Sequence, residues 1–321
     1  MKEKMTYYQA VREALYDELE NDDKVVLFGE DIRYNLYAYT YGLMDSFGKD
    51  RVIDVPLSEA AVMGTAIGAA MCGIRPVVDL TVSSFLYVAM DQIANMAAKT
   101  IYQYNGNYKI PLTIMASSAY GNSAGAQHSD RLHNLLMTIP GLKIITPSSP
   151  QDMYSLLREA IRDDSPVVCF QDKNCFYNEG DVDRCIKIPL GKANIVKSGD
   201  SISVICIQNT SNLAIEVAVE LELSGLSCEV IDVRSLVPFD YETIFDSVKK
   251  TGRVVVVDPA NRSCSAAGHI SSLISDKLFD YLKKPIRIVT SEDVPLPYAM
   301  ELEYSLIPTK EKIREAVLSI I

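Results

Sequence analysis

The sequence has no cluster of basic residues, no C-x-x-C pair and no long apolar run, and each absence excludes a class of protein. Lysine and arginine total 31 against 42 acidic residues, and the net charge of −11 argues against a nucleic-acid partner. The longest uncharged run, residues 60–74, is too short to span a bilayer. The seven cysteines are scattered and follow no secretory signal, which indicates reduced thiols in a cytoplasmic protein without zinc or a disulfide framework.

Two phosphate-binding signatures are also absent. No G-x-G-x-x-G follows a predicted strand and no P-loop is present, so nicotinamide and nucleoside-triphosphate chemistry lack their usual binding loops.

The stretch "GNSAG" at 121–125 matches the G-x-S-x-G pattern of serine hydrolases. That motif requires the serine on a sharp turn directly between a strand and a helix, whereas further residues intervene here. We therefore interpret 121–125 as a loop whose glycines provide flexibility.

The sequence does contain a regular alternation of short β-branched runs and longer helical patterns. Strands of continuous apolar residues separated by helices predict an α/β fold with a parallel sheet covered on both faces. The predicted strands are 25–29, 75–80, 111–117, 143–146, 166–170, 201–207, 227–233, 253–258 and 285–290. The predicted helices are 7–20, 59–72, 84–104, 130–138, 150–162, 211–223, 240–250, 266–282 and one that begins at 310.

The chain length of 321 residues suggests two domains. The periodicity fails from 172 to about 189, where polar residues gather, and the alternation of strands and helices then restarts. We therefore predict one α/β domain over residues 1–180 and a second over residues 181–321.

Apart from Asp54, Glu59 is the one charged residue of "DVPLSEAAVMGTAIGAAM", residues 54–71, and it stands at the start of an uncharged helical pattern. Ser58 is the predicted N-cap, and a carboxylate in the first turn compensates the helix dipole. The same placement suits a catalytic carboxylate whose pKa is raised in a dry environment. The uncharged run also predicts that little of this helix faces water.

Gly64 and Gly68 lie four positions apart on that helix, among several alanines. Glycine lowers helix propensity, so its presence here indicates a closely packed neighbour. A subunit interface and a contact with a strand of the same chain both satisfy the pattern.

The chain has three histidines, at positions 128, 133 and 269. His128 follows the 121–125 loop and precedes a predicted helix. It is either a hydrogen-bonded polar group or a functional imidazole on a loop at the end of a strand, where α/β sheets place their ligands. His133 and His269 are interpreted as surface or core residues.

Several blocks of sequence occur in order along nearly the whole chain. They are "GEDI" (29–32), "RVIDVPLSEAAVMGTAIGAAMCGIRPV" (51–77), "MDQIANMAAK" (90–99), "AGAQHSD" (124–130), "PGLKIITPSSPQDM" (140–153), "AIRDDSPVV" (160–168), "KKTGRVVVVD" (249–258) and "EDVPLPYAMELE" (292–303). Together they resemble the β subunit of the thiamine-diphosphate-dependent component of 2-oxoacid dehydrogenase complexes. The wording "AQHS" and "PSSPQD" is most similar to the pyruvate and acetoin members.

This resemblance implies a transketolase-like fold, with a pyrimidine-binding parallel-sheet domain followed by a transketolase C-terminal-like domain. It also implies that Glu59 binds the aminopyrimidine ring of thiamine diphosphate, that Phe85 lines the pocket and that Leu57 touches the ring. A carboxyl group on the ring nitrogen favours the imino tautomer, which accepts the proton of the thiazolium carbon, so its pKa is expected to be raised. His128 would face the substrate and stabilise charge or move protons during decarboxylation and acyl transfer.

The resemblance further implies partners and metal ions. Thiamine enzymes hold the diphosphate through Mg²⁺ with a G-D-G motif followed by Asn, but this chain has only "EGDVD" (179–183), with Val182 at the second glycine. The Mg²⁺ site is therefore expected on an α subunit, in a heterotetramer with a β–β contact. A potassium ion is expected on main-chain oxygens near Ala160, Asp163 and Ser165.

The implied function is that of a β subunit of a pyruvate-like 2-oxoacid dehydrogenase or acetoin dehydrogenase. It would catalyse decarboxylation or C–C cleavage with acyl transfer to a lipoyl acceptor. The alternatives are a split transketolase-like subunit and a free-standing thiamine-diphosphate acyl-transfer enzyme. A catalytically silent binding subunit is disfavoured, because Glu59 and His128 are present.

Three departures from the family leave the substrate and the assembly open. Asp130 follows "HS" where glutamine is usual, and residues 33–43 are unusually aromatic. Lys283 and Lys284 stand in the loop where relatives that dock on an acyltransferase carry an acid. Like charges oppose binding of a basic partner domain, so docking is expected to be weak, altered or absent.

Overall fold

Residue contacts divide the chain into two units, which are not two continuous halves. The first comprises Met1–Ser118 and Leu136–Leu190, and the second comprises Ala119–Leu135 and Gly191–Ile321. The structure is a computed structural model that describes residues 2–34 and 38–321, so part of the aromatic segment 33–43 lies outside the described residues. The boundary at 180/181 stays a prediction.

Strands and helices alternate through both units, as the hydrophobic pattern predicts. The strands are β1 (Lys2–Thr6), β2 (Val25–Glu30), β3 (Val52–Val55), β4 (Arg75–Val82), β5 (Thr113–Ser118), β6 (Lys143–Ile145), β7 (Val167–Asp172), β8 (Glu179–Asp183), β9 (Asn194–Lys197), β10 (Ile202–Cys206), β11 (Cys228–Asp232), β12 (Ser235–Val237), β13 (Val254–Asn261) and β14 (Arg287–Ser291). The helices are α1 (Tyr7–Asn21), α2 (Leu43–Phe47), α3 (Glu59–Met71), α4 (Ala98–Gln103), α5 (His133–Leu136), α6 (Pro150–Arg162), α7 (Thr210–Glu222), α8 (Tyr241–Thr251), α9 (Ala266–Leu278), α10 (Met300–Leu306) and α11 (Lys310–Leu318).

Six strands of the first unit form a parallel sheet in the order β6-β7-β5-β4-β2-β3. Every residue of β2, β5 and β7 is buried, as expected when both faces of a parallel sheet are covered. The chain leaves β2 for β3 on one side and returns to β4 on the other. The order of strands therefore reverses between β2 and β4, and open α/β sheets bind ligands at the carboxyl end of such a point.

The predicted helix 84–104 is wrong as a single element. The structure has a 3₁₀ turn at Ser83–Tyr87, a π-helical turn at Gln92–Ala97 and only then α4. An apolar pattern near 3.6 residues per turn does not distinguish these windings, which occur in short pieces and frequently at functional sites. Helix 130–138 is likewise shorter than predicted, since α5 covers only His133–Leu136.

The polar segment 172–189 contains regular structure that the sequence pattern did not predict. Lys173–Cys175 form a 3₁₀ turn, and β8 pairs antiparallel with β1 at the start of the chain. Neither strand alternates clearly between apolar and polar residues, because this two-stranded ribbon buries few side chains.

The second unit contains a five-stranded sheet in the order β14-β13-β10-β11-β9. Its strands are parallel except β9, which runs antiparallel to β11. The buried side chains of β10, β11 and β13 pack against α7 and α11 in one apolar cluster. Within the described part of the chain, no helix has the length and apolar character required to cross a membrane.

Candidate active site

Three neighbouring strands of the first sheet lead into acidic and aromatic residues at the carboxyl end of the sheet, where the C-termini of its parallel strands lie; this end is called the carboxyl edge below. Strand β2 ends at Glu30, β3 leads through Leu57 to Glu59, and β4 leads into the 3₁₀ turn that contains Phe85. Since β4, β2 and β3 are adjacent and parallel, their following residues lie along one edge. This edge includes the point where the strand order reverses, so the topology favours it as a ligand site.

Glu59 is the first residue of α3, and Ser58 is its N-cap, as the sequence predicted. The Ser58 side chain makes no capping hydrogen bond, so the acid in the first turn is the group that complements the helix dipole. Glu59 is half-buried, and Leu57 beside it is 75% exposed. A ligand therefore has access to both side chains.

Helix α3 differs from the expectation that little of it faces water. Ala61, Gly64, Thr65 and Gly68 are all exposed. A Cβ placed on either glycine would meet nothing within 4 Å, so no neighbour in the described chain requires glycine there. Of the two readings left open by the sequence, contact with a strand of the same chain does not account for the pattern.

Glu30 is an acidic residue of this edge that the sequence analysis missed. Its side chain is 3% exposed, and neither carboxyl oxygen has a hydrogen-bond partner of ordinary geometry among the described residues. Burial and the nearby Glu59 carboxylate raise the pKa of Glu30 to about 7, although the Ser58 amide acts in the opposite direction. The available signal was an acid that ends a continuous apolar strand in "VVLFGE".

Asp79 is a second buried acid, in the middle of β4 and opposite Gly29 of β2. It accepts hydrogen bonds from the Tyr39 hydroxyl at 2.8 Å and from the Thr81 amide at 2.9 Å. Burial nevertheless raises the pKa of Asp79 to about 6. Glu30 and Glu59 thus lie at this end of the sheet, and Asp79 lies beside Gly29, one residue before Glu30. Glu30 and Asp79 retain a proton near neutral pH more readily than ordinary carboxyl groups do.

His128 belongs to the second unit, on a segment without helix or strand from 119 to 132. The side chain is exposed, and its backbone N–H donates to the Gly125 carbonyl at 3.3 Å. Ser123 has a left-handed φ of +52°, but β5 ends at Ser118 and the next helix begins only at His133. This geometry is not the strand-to-helix turn of a serine hydrolase, in agreement with the sequence reading.

The other two histidines have different environments. His133 is fully buried and its Nε2 lies 2.8 Å from Asp258 Oδ1, whereas His269 is exposed on α9. Burial opposes the charged form of Asp258, but His133 and the amides of Ala260 and Ala267 hold its pKa below the ordinary value. His133 is therefore part of a structural polar contact, which its sequence context did not reveal.

The residues expected to hold potassium lie where α6 ends. Of the three, only Ala160 lies within α6, and its carbonyl accepts a hydrogen bond from the Asp163 amide. The Asp163 carboxylate accepts hydrogen bonds from the Ser165 amide at 2.8 Å and from the Lys143 ammonium at 2.5 Å. The guanidinium of Arg75 donates to the Asp163 carbonyl at 3.2 Å. A carbonyl oxygen retains a second lone pair after one hydrogen bond, so these oxygens keep capacity for a cation beside an existing positive charge.

The part of the chain that the structure describes holds no group of three histidine, cysteine or acidic side chains suited to a metal ion. The "EGDVD" segment forms β8 and pairs with β1. The described residues thus fit the aminopyrimidine half of thiamine diphosphate, through an accessible carboxyl group, and do not fit its Mg²⁺–diphosphate half.

Lys283 has a specific contact in the second unit. Its ammonium donates to the Thr251 carbonyl at 3.0 Å, and its backbone N–H donates to the Gly252 carbonyl at 2.7 Å. These carbonyls end α8, where a positive charge is favoured by the helix dipole. Both lysines are exposed, and the contacts of Lys283 with the end of α8 give a structural reason for a lysine at that position.

Comparison with known proteins covers nearly the whole chain. Residues 3–176 match the family described as transketolase, pyrimidine binding domain, and residues 191–313 match transketolase, C-terminal domain. The chain is 37% identical to acetoin:2,6-dichlorophenolindophenol oxidoreductase subunit beta of Bacillus subtilis, over 97% of this chain and 96% of the relative. It is 38% identical to pyruvate dehydrogenase E1 component subunit beta of Rickettsia conorii, over 98% of this chain and 97% of the relative.

A solved structure agrees in fold. A split-gene transketolase, described as an inactive β4 tetramer, matches with a TM-score of 0.81 at 20% sequence identity, over 98% of both chains. At this identity the likeness shows the fold alone.

Proposed function

The chain belongs to the β subunits of pyruvate and acetoin dehydrogenases within the transketolase-like fold, and on this premise we propose that it supplies the proton-handling half of a thiamine-diphosphate active site. The predicted family and α/β fold class are confirmed. The substrate is a 2-oxoacid such as pyruvate, or acetoin, and the acyl group passes to a lipoyl acceptor. The family's β subunits are oxidoreductase components that work with an α subunit and use thiamine diphosphate.

The observation that carries the proposal is that Glu30, at the end of β2, is buried and near enough to Glu59 for the charge of Glu59 to raise its pKa. When bound, thiamine diphosphate supplies a thiazolium carbon that becomes a nucleophile after losing a proton. Glu59 holds a proton at the ring nitrogen of the aminopyrimidine, and its partial exposure leaves it accessible for that contact. Glu30, with a pKa of about 7, gains or loses a proton near neutral pH beside Glu59. Leu57 and Phe85 provide apolar contact for the ring.

His128 stabilises charge or moves a proton at the substrate during decarboxylation and acyl transfer. It is exposed and lies on a loop, where catalytic groups frequently occur. Asp130 follows two positions later and is half-buried, so it adds negative charge close to the imidazole in sequence.

An α subunit with the G-D-G motif and Asn holds Mg²⁺ and the diphosphate in this proposal. The β–β contact of the heterotetramer uses the exposed uncharged face of α3, where Gly64 and Gly68 allow close approach of a second backbone. Potassium binds the main-chain oxygens of Ala160, Asp163 and Ser165, and the neighbouring Arg75 makes that site weak. Both assignments follow the family pattern and the local chemistry given above.

Docking on a lipoyl acyltransferase is weak, altered or absent in this proposal. Lys283 replaces the acid that is usual in that loop, and its ammonium group donates a hydrogen bond to the Thr251 carbonyl at the C-terminus of α8. Lys284 adds a second positive charge that a basic partner domain would meet. The alternative of a split transketolase-like subunit has the same fold, but the full-length relatives at 37–39% identity favour the dehydrogenase reading.

The experiment that tests this function is a calorimetric titration with Mg²⁺ and thiamine diphosphate, on the chain alone and mixed with its α partner. We expect weak binding and no turnover by the chain alone, because it lacks the diphosphate half of the site. We expect tight binding and 2-oxoacid or acetoin turnover after the α partner is added. Tight cofactor binding by the chain alone would contradict the shared site.

A further inference from the structure

The segment from 119 to 132 has no helix or strand, yet the second unit fixes it at both flanks of His128. Its turn contains three residues with left-handed φ, namely Gly121 at +71°, Ser123 at +52° and Gly125 at +73°. Such a backbone is strained at a non-glycine residue and persists only when surrounding contacts hold it. The contacts that do so come from side chains of distant sequence.

The N-terminal flank is held by one buried carboxylate. Glu303 of α10 is fully buried, and its Oε1 accepts from the Gly121 amide at 2.7 Å while its Oε2 accepts from the Ser123 amide at 2.9 Å. Hydrogen bonds from backbone N–H groups to a carboxylate are charge-assisted and stronger than neutral ones. Both oxygens of Glu303 are thus committed to the turn that precedes His128.

The C-terminal flank is held by one buried guanidinium. Arg131 is 5% exposed and donates from Nε to the Pro259 carbonyl at 2.9 Å and from Nη2 to Asn261 Oδ1 at 2.6 Å. Two positions further on, His133 contacts Asp258 at 2.8 Å. The carboxyl end of β13, a usual ligand site in a parallel sheet, therefore receives the chain's own segment.

We propose that Glu303 and Asn261 are positioning residues for His128, since they fix the two flanks of the turn that presents the imidazole. This inference rests on the proposed function, in which His128 acts on the substrate. Between the two anchors, the His128 N–H donates a hydrogen bond to the nearby Gly125 carbonyl. Release of either anchor lets the exposed imidazole occupy several positions, and a displacement of about 1 Å can cost up to 100-fold in rate.

The direct test measures the histidine rings in the full chain. With three histidines, ring ¹³C labelling gives three Cε1–H signals, which His128→Asn and His269→Asn assign. In Glu303→Gln, the amide nitrogen faces an N–H donor, so one of the two bonds is lost. We expect the His128 signal to split or broaden by about twofold or more, with His133 and His269 unchanged. Glu301→Gln, an exposed acid on the same helix, is the matched control and leaves all three signals unchanged.

A second pair of variants tests the other flank and covers the case in which Glu303→Gln does not fold. Asn261→Ala removes the acceptor for Arg131, but Arg131 keeps its bonds to the Pro259 and Ser129 carbonyls, so folding is retained. Asn261→Asp keeps the acceptor oxygen for Arg131, although it loses the amide N–H that donates to the Glu292 carbonyl at 3.2 Å. We expect His128 broadening in Asn261→Ala and its rescue in Asn261→Asp. Equal broadening of all three histidines, or none in either flank's variant, overturns the proposal.

The second readout uses the enzyme assembled with its α partner. Acyl transfer to a lipoyl acceptor should fall about tenfold in Glu303→Gln relative to decarboxylation followed with an artificial electron acceptor. A loss of both activities in proportion to folded protein indicates a merely structural role and contradicts the proposal. If His128→Ala also leaves the ratio of acyl transfer to decarboxylation unchanged, His128 has no specific role in acyl transfer and the proposed function of this residue is wrong. The ring signals would then still report separately whether Glu303 and Asn261 hold the segment in place.

Discussion

Replacing Glu30 by glutamine should stabilise the protein at alkaline pH and leave its stability unchanged at acidic pH. Glu30 is 3% exposed, lacks a hydrogen-bond partner of ordinary geometry among the described residues and lies near Glu59. Its pKa is raised from 4.5 to about 7 by burial first and by the Glu59 charge second. The neutral amide resembles the protonated acid, so Glu30→Gln removes only the cost of burying the carboxylate.

The sign follows from proton binding. Below pH 4.5 the folded and unfolded chains both carry the proton on Glu30, and the group contributes no pH dependence. Between pH 4.5 and about 7 the unfolded chain releases this proton while the folded chain retains it, so stability falls as pH rises. Above about pH 7 both states are ionised, and the loss is complete.

The magnitude follows from the same shift. A pKa raised from 4.5 to about 7 corresponds to roughly 3 kcal/mol. Relaxation of the surroundings and water penetration reduce the cost of a buried charge in real proteins, so we expect about 2 kcal/mol. For a unit of about 150–250 residues this is a rise in melting temperature of about 4–8 °C at pH 8.

The assay compares melting temperatures of the wild type and Glu30→Gln between pH 5 and pH 8, at constant ionic strength. Asp79, with a pKa raised to about 6, contributes to the pH trend of both proteins, and because its charge also acts on Glu30, the difference reports Glu30 together with this coupling. Glu20→Gln, an exposed acid on α1, is the control and should show no pH-dependent difference. A difference between the wild type and Glu30→Gln that is equal at pH 5 and pH 8 would refute the reasoning.

Three further predictions concern catalysis and assembly. Glu59→Gln should abolish turnover with the α partner while the fold remains intact, because an amide cannot exchange the proton. If Glu59 only compensates the helix dipole, the substitution should instead cost about 1 kcal/mol of stability and leave turnover nearly normal, so turnover and melting temperature are measured on the same preparation. His128→Ala should reduce acyl transfer to a lipoyl acceptor more than decarboxylation measured with an artificial electron acceptor, and a proportional loss of both would exclude the specific role. Lys284→Asp should raise the affinity of the protein for a basic acyltransferase-binding domain. Position 284 is preferable to position 283, because replacing Lys283 also removes its hydrogen bond to the end of α8. A nanomolar dissociation constant for the wild type would contradict weak docking.

The sequence allowed prediction of what local signals determine. Glu59 and Ser58 were placed correctly, because an N-cap and a first-turn acid are read from neighbouring positions. The central strands β2, β4, β5 and β7 were recognised from continuous apolar runs. The proximity of Glu30 to Glu59 could not be predicted from the sequence, because it depends on how β2 pairs with β3.

The contacts that the sequence missed all join distant positions or depend on exact winding. His133 and Asp258 lie 125 positions apart, and Glu303 lies 182 positions from Gly121. No pattern in either segment indicates the other, since each residue is a common polar group in its own context. The 3₁₀ and π turns that follow β4 escaped for a different reason, because the apolar pattern near Phe85 is also compatible with an α-helix.

Helix α3 connects the proposed role of Glu59 with the proposed assembly. The first residue of the helix is the acid, and one turn later Gly64 and Gly68 begin an exposed face without charge. An uncharged face costs little to remove from water, whereas a charged one would require a partner for every charge. If a second copy covers this face, water near the helix start is reduced as well, which favours the protonated form of Glu30. The absence of charge from 60 to 74 therefore bears on both proposals, because the same feature permits close contact between subunits and adds no charge that would change the raised pKa of Glu30.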